Sequence, residues 1–103
     1  MVRFLVLYDT PSDPAAFDRH YQEVHVPLAR DLPGLRRYTV SRHTTALRGG
    51  EPFYLVAELE WESMDDLRAA FGSPQGRSTA ADVAELAPEG SVRSMIFEVE
   101  EIV

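Results

Sequence analysis

The stretch Phe17–Tyr38, FDRHYQEVHVPLARDLPGLRRY, decides the fold of this chain, because it carries a helix through a turn into a strand. Apolar residues recur in its first half at helical spacing, and this helix holds two of the three histidines, His20 and His25. Pro33-Gly34 is a turn signal, and the residues that follow it favour a strand. Since histidine titrates near neutrality and the chain has no cysteine, these histidines are the first candidates for proton transfer.

The two histidines are expected on opposite flanks of this helix. At about 100° per residue, His20 and His25 lie roughly 140° apart, on either side of a buried stripe. That stripe consists of Phe17, Tyr21, Val24 and Leu28. Pro27 cannot donate a hydrogen bond and its ring clashes with the carbonyl of Glu23, so we expect the helix to kink or restart there. A kink would tilt His25 toward a space between helix and sheet, although the residues alone favour a boundary histidine bonded to a carbonyl or to water.

The rest of the chain alternates between strand and helix signals. Strands are predicted at Val2–Asp9, Leu35–Thr45, Phe53–Trp61 and Val92–Ile102. Helices are predicted from the N-cap Asp13 to about Asp31, from the N-cap Ser63 to about Phe71, and, after a break at Gly72-Ser73-Pro74, over Gln75–Leu86. The order βαββαβ predicts one α+β domain over residues 1–103, a ferredoxin-like antiparallel sheet with both helices on one face.

Both faces of this sheet are apolar at the first and last strands. In the first strand, Phe4, Val6 and Tyr8 point to one face, and Leu5 and Leu7 point to the other. In the last strand, Phe97 and Ile96 point to opposite faces. A face open to water should carry polar residues, and the chain has no segment left to cover it. We therefore expect a symmetric homodimer, a dimeric α+β barrel, in which Val6 or Leu7 and Phe97 are buried, depending on which face the helices take.

Composition narrows the class of partner. The chain has 17 acidic and 10 basic residues and a formal net charge of -7, which argues against binding to a nucleic acid. No apolar run reaches the roughly 20 residues of a membrane-spanning helix, and the N-terminus enters a strand-like segment, so we expect a cytoplasmic protein with no membrane partner. No phosphate-binding loop, metal-ligand spacing or nucleophile elbow is present, so we expect no metal and no bound cofactor.

Four segments of the chain together resemble the EthD family of the dimeric α+β barrel superfamily. They are the stretch Phe17–Tyr38, Ala57-Glu58-Leu59-x-Trp61, Ser73-Pro74-x-Gly76-Arg77 and Phe97-Glu98-Val99-Glu100-Glu101. The resemblance implies a ferredoxin-like protomer that dimerises through its sheet and holds a small-molecule cavity between sheet and helices. The family is named for a protein associated with degradation of a tert-butyl ether alongside a cytochrome P450 system, and related barrels include cofactor-free monooxygenases, cyclases, isomerases and haem-degrading enzymes.

The resemblance makes His25 a cavity-lining proton-transfer residue. Tyr38 is the second catalytic candidate, because a tyrosine ring packs on an apolar ligand while its hydroxyl donates to a developing oxyanion. Tyr21, four residues before His25, is a candidate substrate-binding residue, as are His20 and Trp61. Each of these has a plainer interpretation, since His20 can be structural and both Tyr38 and Trp61 can pack in the core or an interface.

Three other assignments complete the list of candidates. Glu58 is expected to be solvated or paired with an arginine, His43 is expected at the surface, and His25 is also a weak candidate for a haem ligand.

We predict a cofactor-free enzyme of oxidoreductase or monooxygenase, cyclase or isomerase type that acts on a small hydrophobic or aromatic metabolite. The alternative is a non-catalytic protein that binds a hydrophobic ligand as an accessory to an oxygenase system.

Overall fold

Four strands form one antiparallel sheet in the computed structural model, which describes all 103 residues. The strands are β1 (Val2–Tyr8), β2 (Arg37–Ser41), β3 (Leu55–Trp61) and β4 (Val92–Glu98). Their order across the sheet is β2-β3-β1-β4, and β1 pairs antiparallel with both β3 and β4. With the helices packed on one face, this is the predicted ferredoxin-like fold, although β2 is shorter than predicted at both ends.

Helical segments occupy the two predicted regions. They are α1 (Pro14–His20), a π-helical turn (Tyr21–His25), α2 (Val26–Arg30), α3 (Met64–Gly72) and α4 (Pro74–Leu86). The predicted N-caps are confirmed: the Asp13 carboxylate accepts a hydrogen bond from the backbone N–H of Ala16, and the Ser63 hydroxyl accepts one from that of Asp66. Ser73 caps α4 in the same way, and none of these helices has the length and apolar character needed to cross a membrane.

The helix restarts at Pro27 as expected, but the residue before the proline does not leave the helical region. Val26 keeps helical backbone angles, φ -57° and ψ -48°, and its N–H donates to the carbonyl of Tyr21 instead of that of Gln22. The chain thus makes one π-helical turn ahead of the proline and then resumes an α-helix. Pro27 falls in the first turn of α2, where its missing N–H and fixed φ are tolerated.

The sheet buries one face and leaves the other open. The buried row of β3, Leu55, Ala57, Leu59 and Trp61, is at most 4% exposed and faces the helices together with Val2, Val6 and Tyr8 of β1. On the opposite face lie Leu5, Leu7, Val56, Met95 and Phe97, all partly or fully exposed in the single chain. Val6 therefore belongs to the core, and Leu7 and Phe97 belong to the open face.

The junction between α3 and α4 depends on a glycine. A Cβ atom added at Gly76 would lie 2.1 Å from the carbonyl oxygen of Ala70 and 2.6 Å from that of Phe71. A backbone oxygen cannot move away as a flexible side chain can, so only glycine permits the close approach of these two helices. Gly72, the last residue of α3, has open space at the same position.

Gly76→Ala should lower the free energy of unfolding by about 1–3 kcal/mol or more, because the added methyl group overpacks the helix junction. Chemical denaturation monitored by circular dichroism measures this. Gly72→Ala is the matched control and should be neutral or stabilising by up to about 1 kcal/mol, since alanine is the better helix former. Equal effects of the two substitutions would contradict the packing argument.

Candidate functional site

A cavity of about 370 Å³ lies between the helices and the buried face of the sheet. Of its 17 lining residues, 13 are hydrophobic, so its walls are mainly aliphatic and aromatic carbon. The side chains that bring polar atoms to it are Tyr8, Tyr21, His25, Tyr38, Thr79 and Ser94. No arginine or lysine lines it. An apolar pocket with a few convergent polar groups has the character of a small-molecule site.

The carboxylate of Asp82 joins the two histidines of the first helical region. Asp82 lies on α4 and is 8% exposed. One carboxylate oxygen, Oδ2, is 2.9 Å from Nδ1 of His25, and the other, Oδ1, is 2.8 Å from Nε2 of His20. A buried carboxylate needs such donors, and both of its oxygens have one.

The expectation that His20 and His25 point in different directions is wrong, and the π-helical turn is the reason. In an α-helix, residues five apart lie far from one another around the axis. A turn closed by a hydrogen bond between residues five apart, as from Val26 to Tyr21, brings residues at that spacing onto one face. His20 and His25 have this spacing, so both reach the same carboxylate.

His25 is held as a neutral base. Because the Asp82 carboxylate can only accept, the hydrogen-bond network assigns the proton to Nδ1 of His25 and leaves the lone pair on Nε2. Burial lowers the pKa of His25 below its ordinary 6.5, and the hydrogen bond from Nδ1 to the Asp82 carboxylate opposes this without reversing it. Nε2 has no protein partner and is not sealed off, and His25 lines the cavity.

Two tyrosine hydroxyls meet beside this histidine. The hydroxyl oxygens of Tyr21 and Tyr38 are 2.5 Å apart, and the Tyr21 ring lies 5.2 Å from the imidazole of His25, centre to centre. Burial raises the pKa of both tyrosines, so both remain protonated near neutral pH. The single hydrogen bond between the two oxygens uses one of the two hydroxyl protons. Either hydroxyl can be the donor, and when Tyr21 donates to Tyr38 the Tyr38 proton is free for a ligand.

The structure brings three of the five candidate residues together at the cavity: His25, Tyr38 and Tyr21. His20 reaches only the far side of Asp82 and does not line the cavity. Trp61 does not line it either, because its indole is fully buried beside Phe71 and donates from Nε1 to the carbonyl of Pro33 at 2.9 Å. Their roles toward a substrate stay predictions.

Sequence reasoning missed Asp82 and Tyr8. Asp82 precedes Leu86 by four residues and follows Thr79 by three, which places it on the face of α4 that packs inward. A lone carboxylate at a buried helix position was the available signal. Glu58 lies on the open face of the sheet, and His43 is an exposed loop residue with a φ of 58°.

A family model described as the EthD domain matches residues 9–89. The chain belongs to the EthD family. A relative from Rhodococcus erythropolis, described as an uncharacterized 11.0 kDa protein in the thcB-thcC intergenic region, is 41% identical over all of this chain and 98% of its own length.

Solved structures agree with the EthD assignment. An ethyl tert-butyl ether D (EthD) family protein from Bacillus halodurans is 34% identical and superposes with a TM-score of 0.88, covering 97% of this chain and 99% of that one. SnoaB, a cofactor-independent oxygenase from Streptomyces nogalater, superposes with a TM-score of 0.65 at 22% identity, covering 99% of this chain and 95% of its own. The second likeness is one of fold.

His25 should titrate below pH 6.5, and the protein should lose stability as the pH falls through that value. The unfolded chain takes up a proton at its ordinary histidine pKa before the folded chain does. Stability is therefore fully present above pH 6.5 and declines below it, by at most about 1.4 kcal/mol per pH unit, until the folded pKa is reached. NMR titration of the imidazole resonances and denaturation at several pH values measure the two effects.

Two variants test the cause of this pH dependence. Asp82→Asn removes the group that raises the pKa of His25, so the His25 pKa should fall further. His25→Asn removes the titrating group and should flatten the dependence of stability on pH in this range. A His25 pKa at or above 6.5 in the wild-type protein would refute the neutral-base assignment.

Proposed function

We propose that this EthD-family protein is an enzyme that moves a proton on a small, neutral hydrophobic or aromatic metabolite and needs no bound cofactor to do so. The observation that carries the proposal is the hydrogen bond from Nδ1 of His25 to Asp82, which leaves Nε2 as a free base at an apolar cavity. A carboxylate that fixes the tautomer of a histidine also stabilises the imidazolium that forms when Nε2 takes a proton.

The first step is removal of a proton from an acidic C–H or O–H bond of the ligand. Nε2 of His25 accepts the proton; the electron pair of a broken C–H bond moves onto the adjacent carbonyl oxygen, and that of a broken O–H bond stays on its own oxygen. The free hydroxyl proton of Tyr38, beside Tyr21, is the donor for that developing oxyanion. Base and donor come from different elements but share one cavity.

Removal of this proton is the first step of an isomerisation, of a cyclisation and of a cofactor-free oxygenation. Return of the proton to a second atom completes an isomerisation, and attack of the enolate on an electrophilic carbon of the same ligand completes a cyclisation. Reaction of the carbanion with dioxygen is the oxygenase route, and the cofactor-independent oxygenase SnoaB has the same fold. The residues of this cavity support proton removal and do not choose among the later steps.

The lining of the cavity supports a neutral, apolar ligand. Aliphatic and aromatic side chains form most of the wall, and no arginine or lysine is present to pair with a carboxylate or phosphate. The carboxylate of Asp82 lies behind the imidazole of His25 and would repel an anion. A non-catalytic carrier would use the same cavity, so the test must read turnover as well as binding.

We further propose that two copies of the chain associate through the open face of the sheet. Leu5, Leu7, Val56, Met95 and Phe97 form an apolar row there. The helices already occupy the other face, so a second sheet is the cover of matching shape. The association would form the dimeric α+β barrel expected from the sequence.

The enzyme proposal predicts that the wild-type protein accelerates deuterium exchange at the benzylic carbon of 2-tetralone, a neutral aromatic ketone with an acidic C–H bond. His25→Gln should lower the enzymatic exchange rate by about 100- to 10,000-fold, because it removes the base. Tyr38→Phe should lower it by about 100-fold by removing the oxyanion donor. Proton NMR in D2O follows the loss of the benzylic signal.

Controls separate chemistry from folding. His43→Asn changes the exposed loop histidine to a residue that tolerates its positive φ, and it should leave exchange unchanged. Asp82→Asn should lower exchange by about tenfold or more, since the tautomer of His25 is no longer fixed. Binding of 2-tetralone with no exchange above the solvent rate would overturn the enzyme and favour the ligand-binding alternative.

Sedimentation velocity at micromolar concentration should give a dimer for the wild-type chain, and Leu7→Glu should shift it to a monomer by placing a charge on the open face. Leu47→Glu is the matched control, because Leu47 is 94% exposed on a loop and should not affect association. A wild-type monomer, or dissociation by both substitutions, would rule out the interface through the sheet.

A further inference from the structure

One hydroxyl group at the cavity, that of the buried residue Tyr8, has no partner in the protein. Tyr8, the last residue of β1, is 1% exposed and lines the cavity. Its hydroxyl makes no hydrogen bond, whereas the hydroxyls of Tyr21, Tyr38 and Tyr54 each make one or more. No unpaired side-chain oxygen is completely sealed off, so a small part of the Tyr8 hydroxyl stays accessible in a residue that lines the cavity.

The position of this hydroxyl is set by the packing of its ring. The Tyr8 ring lies edge-on to Phe17, 5.4 Å between centres, and edge-on to Tyr21 at 6.0 Å. On either side, Tyr8 is paired with Leu55 of β3 and Val92 of β4. A ring held by a sheet and two aromatic neighbours cannot swing away to find a bond elsewhere, so its hydroxyl is presented to whatever occupies the cavity.

A hydroxyl without a protein partner at the wall of an apolar cavity has fewer hydrogen bonds than it has in bulk water, so a ligand oxygen beside it gains a donor. Burial raises the pKa of Tyr8, as do the nearby Tyr38 and Asp82, so the hydroxyl remains a donor near neutral pH. The His25 base and the free Tyr38 proton already account for one reacting position of a ligand. The Tyr8 hydroxyl is therefore available to bond to a different atom of the ligand.

We propose that Tyr8 binds a second oxygen atom of the ligand, so that the preferred substrates are neutral aromatic compounds with two oxygen functions, such as a dihydroxyarene or a hydroxyaryl ketone. One oxygen accepts from Tyr38 next to the proton that His25 removes, and the other bonds to Tyr8. The inference rests on the proposed function in that it takes the same cavity as the ligand site. It does not depend on proton transfer taking place.

The test compares ligands that differ only in their oxygens. Titration calorimetry measures the affinity of the wild-type and Tyr8→Phe proteins for 1,3-dihydroxynaphthalene and for naphthalene. Loss of one hydrogen bond to the ligand should weaken binding of 1,3-dihydroxynaphthalene by about tenfold and leave binding of naphthalene within about twofold. Equal changes for both ligands, or no change for 1,3-dihydroxynaphthalene, would overturn the role of Tyr8.

A second readout needs no ligand. Tyr8→Phe removes a hydroxyl without a partner, so the thermal stability of the free protein should not fall. The matched control is Tyr54→Phe, which removes hydrogen bonds of 2.9 and 3.0 Å to the carboxylate of Asp18 and should lower stability. A loss of stability in Tyr8→Phe as large as that in Tyr54→Phe would show that the hydroxyl has a partner within the fold and would refute the proposal.

The two proposals fail in different ways. Ligand-selective loss of affinity in Tyr8→Phe, together with 2-tetralone exchange that is unaffected by His25→Gln, would support Tyr8 as a ligand-binding residue and overturn the proton-transfer function. Exchange that depends on His25, together with unchanged affinity of Tyr8→Phe for 1,3-dihydroxynaphthalene, would support the function and overturn the role of Tyr8.

Discussion

The hydrogen bonds of one carboxylate, that of Asp82, connect the parts of the molecule on which the candidate site depends. They tie α4 to the first helical region through His20 and His25, across 62 and 57 residues of sequence. The carboxylate is buried, so its two donors are required for its own solvation as well as for the contact between helices. This bond orients the ring of His25 and leaves Nε2 without a protein partner in a residue that lines the cavity.

A second constraint makes this bond geometrically available. The π-helical turn over Tyr21–His25 rotates His25 onto the side of the helix where His20 lies. It ends just before α2, so Pro27 falls in the first turn of a new α-helix, where a proline is tolerated. The same turn carries Tyr21, whose hydroxyl contacts Tyr38 on β2. One local widening of the helix therefore places the base, sets its tautomer through Asp82 and positions the tyrosine pair.

The sequence predicted the fold and about half of the site. Tyr21 and His25 were found because they lie four apart on a helix with an apolar stripe, and Tyr38 was found because an aromatic residue follows the Pro-Gly turn. Trp61 fitted the same pattern, yet it lies in the core with its indole bonded to Pro33. Nothing local distinguishes a tryptophan that packs under a loop from one that borders a cavity.

Local physical chemistry, read from the sequence alone, determined the element order, the helix caps at Asp13 and Ser63, and the presence of two apolar faces on the sheet. These properties depend on side-chain periodicity and on hydrogen bonds between residues a few positions apart. The tertiary structure decided that Leu7 faces away from the helices, that the helix widens before Pro27, and that Asp82 meets both histidines. The α-helical and π-helical turns differ by one residue in hydrogen-bond register, and in this chain the widened turn is the one that lets two histidines solvate a carboxylate far away in the sequence. Contacts of that kind depend on which surfaces pack together, which no local pattern specifies.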